Sequence, residues 1–332
     1  MKYSKKATGA IFGTLIGLAL AWILLRSSAG EEGIASALEN ILRRTAGADR
    51  LLLVGAFALF LASQALRAVR WMLLGFRRRY RFSLSMAVTS IHVGLGHLLP
   101  FRLADVAFVG LFRHFGEVPV GHGTASVVMA KLLDLMAMGA VIGSAAAAGV
   151  GDLAFVAPVI ALAGFAGIIF LSPILRALGV PVRWILERFF HGRKTHWFDD
   201  LVSASSVRGR KFNLTMAFLV SILVWVAKLS MFLLMLEALG VTGVPGWKIF
   251  LASGITNIIM ALPINGILSI GTTEAGWTAA FAMVGVGGSI SSNFDIVELG
   301  FSVHILWMIM AVVLMLLAIP LLIRDGRRRR IE

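Results

Sequence analysis

The fold is decided by residues 83–115, which read SLSMAVTSIHVGLGHLLPFRLADVAFVGLFRHF. This stretch is apolar enough to enter a lipid bilayer, yet glycines, Pro100 and the charged residues Arg102 and Asp105 interrupt it. Proline and glycine break the backbone hydrogen-bond ladder, and an unpaired peptide group is costly in hydrocarbon. One continuous lipid-facing helix is therefore disfavoured. The stretch instead predicts a re-entrant helical hairpin that is shielded by neighbouring helices.

The composition of the whole chain is that of a polytopic membrane protein. Of its 332 residues, 58% are hydrophobic and 14% are charged. This length accommodates about six to eight spans of about 20 residues, without a separate soluble domain. The net charge of +14 comes from basic residues at span ends, which positive-inside topology and anionic headgroups explain without nucleic acid. The absence of cysteine excludes disulfides, thiolate metal sites and thiol catalysis.

Hydropathy and charge predict six full transmembrane helices, with both termini in the cytoplasm. The first apolar run ends at Arg26 and is long for a signal peptide, so we expect an uncleaved span, with cleavage as the alternative. Residues 27–50 balance basic against acidic side chains and predict a short surface helix on the outer side. The predicted spans cover residues 7–25, 51–76, 124–150, 155–175, 214–239 and 296–323.

A second broken stretch covers residues 248–286 and is interrupted by proline, by glycines and by one glutamate. It predicts a second re-entrant hairpin, on the outer side. Two broken segments at corresponding positions of two halves are typical of inverted-repeat transporters. We therefore expect one all-α membrane domain, with residues 51–150 as the first inverted repeat and 213–323 as the second. Residues 176–212, which hold eight basic and three acidic side chains, predict a cytoplasmic amphipathic linker.

Eight ionisable residues fall inside these membrane segments, where charges are costly and usually serve function. They are Arg67, Arg70, Arg102, Asp105, Lys131, Asp134, Lys228 and Glu274. The first six give four positive charges against two negative ones in the cytoplasmic half, a surplus suited to an anionic headgroup. Arginine suits phosphate because its planar fork donates paired hydrogen bonds and stays charged. The alternative is internal pairing, of Arg102 with Asp105 and of Lys131 with Asp134.

The outer half contains a second group of polar residues. Lys228, Glu274 and His304 predict a polar station that responds to protons through His304 or Glu274. A purely structural Lys228–Glu274 pair is the alternative. His92 and His97 precede the hairpin tip and either bind phosphate or cap broken helices. The sequence contains no nucleophile elbow, phosphate-binding loop, dinucleotide fingerprint or HExxH motif, so it gives no support for a common enzyme class.

Four motifs are spread along the chain. They are Arg67-x-x-Arg70-Trp71, Leu98-Leu99-Pro100-Phe101-Arg102 with Asp105, Lys131-x-x-Asp134-Leu135, and Pro263 followed by Gly271-Thr272-Thr273-Glu274. Together they resemble the family of the transmembrane flippase domain of lysylphosphatidylglycerol synthases, over almost the whole chain. The sequence departs from the family pattern at Gly96-His97, Ala104-Asp105 and Leu268-Ser269. These departures bear on the substrate rather than on the fold.

The resemblance implies a flippase of the bacterial cytoplasmic membrane that moves an anionic or phosphate-bearing lipid, glycolipids included, between leaflets. Family members are associated with aminoacylated phosphatidylglycerol and with glycolipid, hopanoid or polyprenyl-linked pathways. We expect the eight ionisable residues to hold the lipid headgroup, without a cofactor, a metal or nucleic acid. Other possible partners are a second copy of the chain and lipid-biosynthesis enzymes. This sequence carries no synthetase domain, and we expect no enzyme activity. There are three alternatives: a membrane enzyme acting on a phospholipid or polyprenyl phosphate, a small-anion transporter, and a scaffold.

Overall fold

Ten continuous helices make up most of the chain that the structure describes. The structure is a computed structural model that describes residues 2–30, 33–75, 81–100, 103–149, 211–261, 266–286 and 295–328, with single helical positions between 159 and 177. The helices are α1 (Lys2–Ala29), α2 (Ile34–Ala46), α3 (Arg50–Leu74), α4 (Phe82–Leu98), α5 (Leu103–Gly116), α6 (Val120–Gly149), α7 (Lys211–Ala238), α8 (Gly246–Ala261), α9 (Thr272–Met283) and α10 (Ile296–Arg328).

Four of these helices are long and apolar enough to cross a membrane. Within α3, α6, α7 and α10 the apolar spans are Arg50–Leu74, Val120–Ala147, Phe212–Ala238 and Ile296–Arg324. A fifth candidate is the pair α1 and α2, which is bent by 91°. The prediction of an all-α polytopic membrane protein is confirmed. The predicted span 155–175 and nearly all of the linker 176–212 lie outside the described residues, so the count of six spans and the placement of both termini stay predictions.

Each of the two broken stretches contains two short helices separated by a break. α4 ends where Leu99 turns to an extended conformation (φ −100°, ψ 137°), and α5 begins at Leu103. The break between α8 and α9 ends at Gly271, whose φ of +81° is a left-handed conformation that favours glycine. Broken helices leave peptide groups that only protein or water can satisfy. The neighbouring helices that cover these breaks therefore decide where polar groups collect.

The order long, short, short, long occurs twice, in α3 to α6 and in α7 to α10. α3 and α7 form the most extensive helix pair, and each short helix before a break packs on the long helix that closes the other half, α4 on α10 and α8 on α6. Glycines allow both approaches: Gly94 of α4 lies against Met315, and Gly254 of α8 lies against Ile142. The packing partners in one half thus match those in the other, while the inverted orientation of the halves stays a prediction.

The interior consists chiefly of two large apolar clusters, one around each break. Leu74 and Phe108 lie in the cluster around α4 and α5, and Phe232 and Trp277 lie in the cluster around α8 and α9; all four are buried. In a bilayer the surrounding lipid is as apolar as these side chains, so close packing, rather than removal from water, holds the helices together. The fold should therefore be sensitive to small changes of volume at the helix crossings.

Replacing Gly94 with alanine is expected to lower the free energy of unfolding by about 1–3 kcal/mol, the usual effect of overpacking. An added Cβ would lie 2.6 Å from the Cβ of Met315, so α4 and α10 would have to separate. The matched control is Gly96→Ala on the same helix, where a Cβ meets nothing within 4 Å. The measurement is thermal unfolding of the purified protein in detergent. Equal midpoints for the two variants would contradict the close crossing of α4 and α10.

α1 lies directly against the second break. A Cβ at Gly17 would lie 2.4 Å from the carbonyl oxygen of Ile270, and one at Gly271 would lie 1.7 Å from the carbonyl oxygen of Gly17. The two backbones are therefore in contact. α2, which the sequence predicts as a short surface helix, is attached to α10 through Arg44 and Glu298, whose charged atoms are 3.8 Å apart. The first two helices thus support the second half of the protein from outside the repeated order.

Candidate functional site

An ion pair between the buried Arg70 and the partly buried Asp134 joins α3 to α6. Arg70 donates hydrogen bonds from its two terminal nitrogens to the two oxygens of Asp134, at 2.5 and 3.2 Å. From α7, the indole N–H of Trp225 donates to Asp134 at 3.1 Å, and the Ser221 hydroxyl accepts from Arg70 at 3.0 Å. Removing such a pair from water is costly, and these additional hydrogen bonds offset part of that cost. The Arg70–Asp134 pair fixes three helices relative to one another.

A second ion pair joins the first broken stretch to α6. Lys131 lies 3.0 Å from one oxygen of Asp105 and donates to the other at 3.2 Å. That second oxygen is also 2.9 Å from Nε2 of His92 on α4. The Lys131 side chain is 45% exposed, so its ammonium group borders the surroundings of the protein. α4, α5 and α6 therefore meet at one carboxylate that a ligand can approach.

Arg67 lies one helical turn before Arg70 and connects the two ion pairs. It is close enough to Asp134 and to Asp105 for direct electrostatic interaction with both. Its Nε is buried and has no hydrogen-bond partner among the described residues. A buried donor without a partner costs about 1–3 kcal/mol, and more when it is charged. Arg67 is therefore suited to donate a hydrogen bond to an oxygen of a bound ligand. We call this set the basic cluster: Arg67, Arg70, His92, Asp105, Lys131 and Asp134.

The second polar group forms where α4, α9 and α10 meet. Glu274, in the first turn of α9, accepts a hydrogen bond from the Gly271 N–H at 2.6 Å, and its other oxygen is 2.7 Å from Nδ1 of His304. His97, at the end of α4, lies with its ring 6.0 Å from that of His304 and packs edge-on against Trp307 at 4.4 Å. All four side chains are buried. We call His97, Glu274, His304 and Trp307 the histidine cluster.

Lys228 lies between the two clusters. Its ammonium group is 5.1 Å from the ring of Trp225 and 4.9 Å from the ring of Trp307, and it donates a hydrogen bond to Asn257 of α8. Tryptophan faces attract cations, and more strongly away from water. Because Trp225 also donates to Asp134, one indole ring links Lys228 to the basic cluster.

Most of the chain matches the model of one protein family. Residues 10–292 match the family described as the lysylphosphatidylglycerol synthase TM region. The chain belongs to this family. No curated protein and no solved structure matches it. Membership of the lysylphosphatidylglycerol synthase TM family indicates a multi-pass membrane protein with a lipid-related function. The matched segment includes the whole basic cluster and Glu274, and it ends before α10 begins.

In this member of the lysylphosphatidylglycerol synthase TM family, the described residues give Asp105 and Asp134 partners that the sequence did not suggest, whereas the alternative pairing of Arg102 with Asp105 falls on a residue outside the described ones. Asp105 pairs with Lys131, and Asp134 pairs with Arg70. The reason is direction: Asp134 is turned toward α3 and α7, whereas Lys131 reaches α5. Arg102 lies outside the described residues, so its predicted role stays a prediction.

The second predicted pair also has different partners. Glu274 pairs with His304, and Lys228 bonds Asn257. Sequence reasoning missed Ser221 and Trp225, which complete the site from α7. Their spacing was the available signal, because residues 221, 225 and 228 are four and three apart and share one helical face with Lys228. Among the described residues, no three His, Asp or Glu side chains converge as metal ligands.

Proposed function

We propose that the protein is a flippase that moves an anionic or phosphate-bearing lipid, glycolipids included, across the cytoplasmic membrane. The observation that carries the proposal is the buried, unpartnered Nε of Arg67 inside a cluster with surplus positive charge. Three cations, Arg67, Arg70 and Lys131, oppose the two carboxylates Asp105 and Asp134 among the described members of the cluster. A phosphate oxygen at Arg67 would balance this surplus and satisfy the donor.

The three cations differ in their contacts and exposure, and these differences support a headgroup site. The two terminal nitrogens of Arg70 are engaged by Asp134 and Ser221, so Arg70 chiefly holds the helices, although its Nε, like that of Arg67, has no partner among the described residues. Lys131 is half exposed and can follow a headgroup as it enters. Arg67 lies between them and offers the planar fork that fits phosphate. The acyl chains would stay in lipid while the headgroup passes these residues.

A lone headgroup faces a large desolvation cost in hydrocarbon, and fixed polar groups along the protein reduce it. Lys228 provides such a group beyond the basic cluster, and Trp225 contacts both. A headgroup released by Arg67 would meet Lys228 next. Asp105 and Asp134 are both held in ion pairs, which supports a role in binding and packing for these two carboxylates.

The test compares the lipids retained by the purified parent protein and by an Arg67→Gln variant, measured by mass spectrometry. We expect the parent to retain one anionic lipid class and Arg67→Gln to retain it at least about tenfold less, since a charged hydrogen bond contributes about 1.5–3 kcal/mol. Arg67→Lys should restore only part of the retention, because lysine keeps the charge without the planar fork. Arg43→Gln is the matched control, as Arg43 is 72% exposed on α2.

Unfolding midpoints of all variants establish that each one folds. Retention unchanged in a folded Arg67→Gln variant would refute the headgroup site. A parent that retains no anionic lipid, and does not speed exchange of fluorescent phosphatidylglycerol between vesicle leaflets, would refute the proposed function for this lipid class.

A further inference from the structure

Three buried polar atoms in the histidine cluster have no hydrogen-bond partner in the described part of the chain. They are Nδ1 of His97, Nε2 of His304 and the indole N–H of Trp307. The three side chains are only 3%, 2% and 5% exposed. Buried polar atoms are nearly always paired, so three orphans within one cluster point to something that binds there.

The contact of Glu274 determines which proton His304 carries. Glu274 accepts a hydrogen bond from the Gly271 N–H at one oxygen, and its second oxygen lies 2.7 Å from Nδ1 of His304. A carboxylate only accepts, so Nδ1 must hold the proton. In the neutral ring, Nε2 then carries a lone pair. This buried lone pair has no donor among the described residues, so it is an atom to which a proton can bind.

His97 extends this site to the first broken stretch. Its ring centroid is 6.0 Å from that of His304, which is close enough for one bridging water between the ring edges. His97 is the penultimate residue of α4, directly before the first break, and Glu274 follows directly after the second break. The histidine cluster therefore lies where both breaks meet α10.

Among the described cations, Lys228 lies close to these groups. It is close enough to His97 for direct electrostatic interaction, and its ammonium group lies over the ring of Trp307. Along α10, Glu298 precedes His304 by six residues and is held by Arg44 of α2 at 3.8 Å. A proton on His304 or His97 would thus be attracted by Glu274 and repelled by Lys228.

Other ionisable residues on the helices packed against the cluster lie away from it. Lys248 of α8 lies near Gly285, just beyond the other end of α9. Arg26 of α1 and Glu237 of α7 are exposed. On α3, α4 and α5, the ionisable residues Arg67, Arg70, His92 and Asp105 belong to the basic cluster.

We propose that His97, Glu274 and His304 form a buried proton-binding site, and that the proton taken up there drives lipid movement. A proton from water binds to a free imidazole nitrogen, and the same proton leaves when the site opens to the other side; no other bond forms or breaks. A charge on His97 is repelled by Lys228 of α7, so it favours movement of the first break away from α7. The coupling to lipid rests on the proposed function, whereas the proton site does not.

The proton site is tested by tryptophan fluorescence of the purified protein as a function of pH. A protonated imidazole quenches a nearby indole, so Trp307, which packs against His97 and lies about one helical turn after His304, should report a proton held by either ring. We expect a quenching step in the parent that is lost in His97→Gln and in Trp307→Phe. In Glu274→Gln, half quenching should require at least about tenfold more protons, since one pH unit corresponds to about 1.4 kcal/mol. Glu298→Gln, a buried carboxylate on the same helix as His304, should leave the step unchanged.

Coupling is tested in vesicles of phosphatidylcholine with a trace of fluorescent phosphatidylglycerol and an imposed pH gradient. We expect the parent to move the lipid several-fold faster in one gradient direction, and Glu274→Gln to move it equally in both. A parent without a quenching step overturns the proton site. A parent with the step but with lipid movement indifferent to the gradient overturns the coupling alone. A parent with the step but without any lipid movement overturns the coupling and the proposed function for this lipid, and supports the proton site.

Discussion

Replacing Arg70 with leucine is expected to lower the free energy of unfolding by about 3–5 kcal/mol, because Asp134 would be left buried without its guanidinium partner. Arg70 is 2% exposed and bonds both oxygens of that carboxylate. The loss should appear as a lower unfolding midpoint in detergent and as a reduced yield of folded protein. This is the largest stability effect that we expect from a single polar substitution in the described part of the chain.

The double variant Arg70→Leu with Asp134→Leu distinguishes a stabilising pair from a costly one. Replacing both charges by apolar groups is often neutral, so the double variant should recover most of the lost stability. Arg43→Leu, which breaks the exposed pair with Glu39, should change stability by less than about 1 kcal/mol. An Arg70→Leu variant as stable as the parent would contradict the assignment of this pair as the connection between α3 and α6.

Replacing Gly271 with alanine is expected to prevent correct folding of the second half. Its φ of +81° disfavours any side chain, and a Cβ would lie 1.7 Å from the carbonyl oxygen of Gly17, which α1 cannot withdraw without moving as a whole. The same substitution would also displace the N–H that Glu274 accepts from. The measurement is the fraction of protein that elutes as a monodisperse species after extraction.

Gly243→Ala isolates one part of this effect. Gly243 has a similar φ of +78°, but a Cβ there meets nothing within 4 Å. We expect it to lose only about 1–2 kcal/mol, the usual cost of a left-handed alanine. If Gly271→Ala behaved like Gly243→Ala, α1 could not be in backbone contact with the second break.

The sequence was sufficient to predict the helical membrane fold and both breaks, because charge, proline and glycine stand out against apolar helices. The three-residue spacing of Arg67 and Arg70 is also enough to put them on one face of a helix. It could not predict which carboxylate each cation meets, because that depends on how helices rotate about their axes. Asp134 turns toward α3 and α7, and spacing along α6 alone does not determine this.

His97 illustrates a different limit. The sequence assigns it to the tip of the first broken stretch, near Arg102. The structure places its ring beside His304 and Trp307 because α4 packs on α10, more than 200 residues later in the chain. No local pattern encodes that contact. The proton site therefore could be inferred only after helices from both halves had been brought together.

The exchange of partners between the halves, α4 with α10 and α8 with α6, also has a consequence for biogenesis. α4 leaves the ribosome long before α10 has been synthesised. Until then the helix face around Gly94 lacks its packing partner Met315 and must be covered by lipid or by an insertion chaperone. The first half therefore cannot reach its final packing during its own synthesis. The protein is thus expected to insert helix by helix but to mature in one late step.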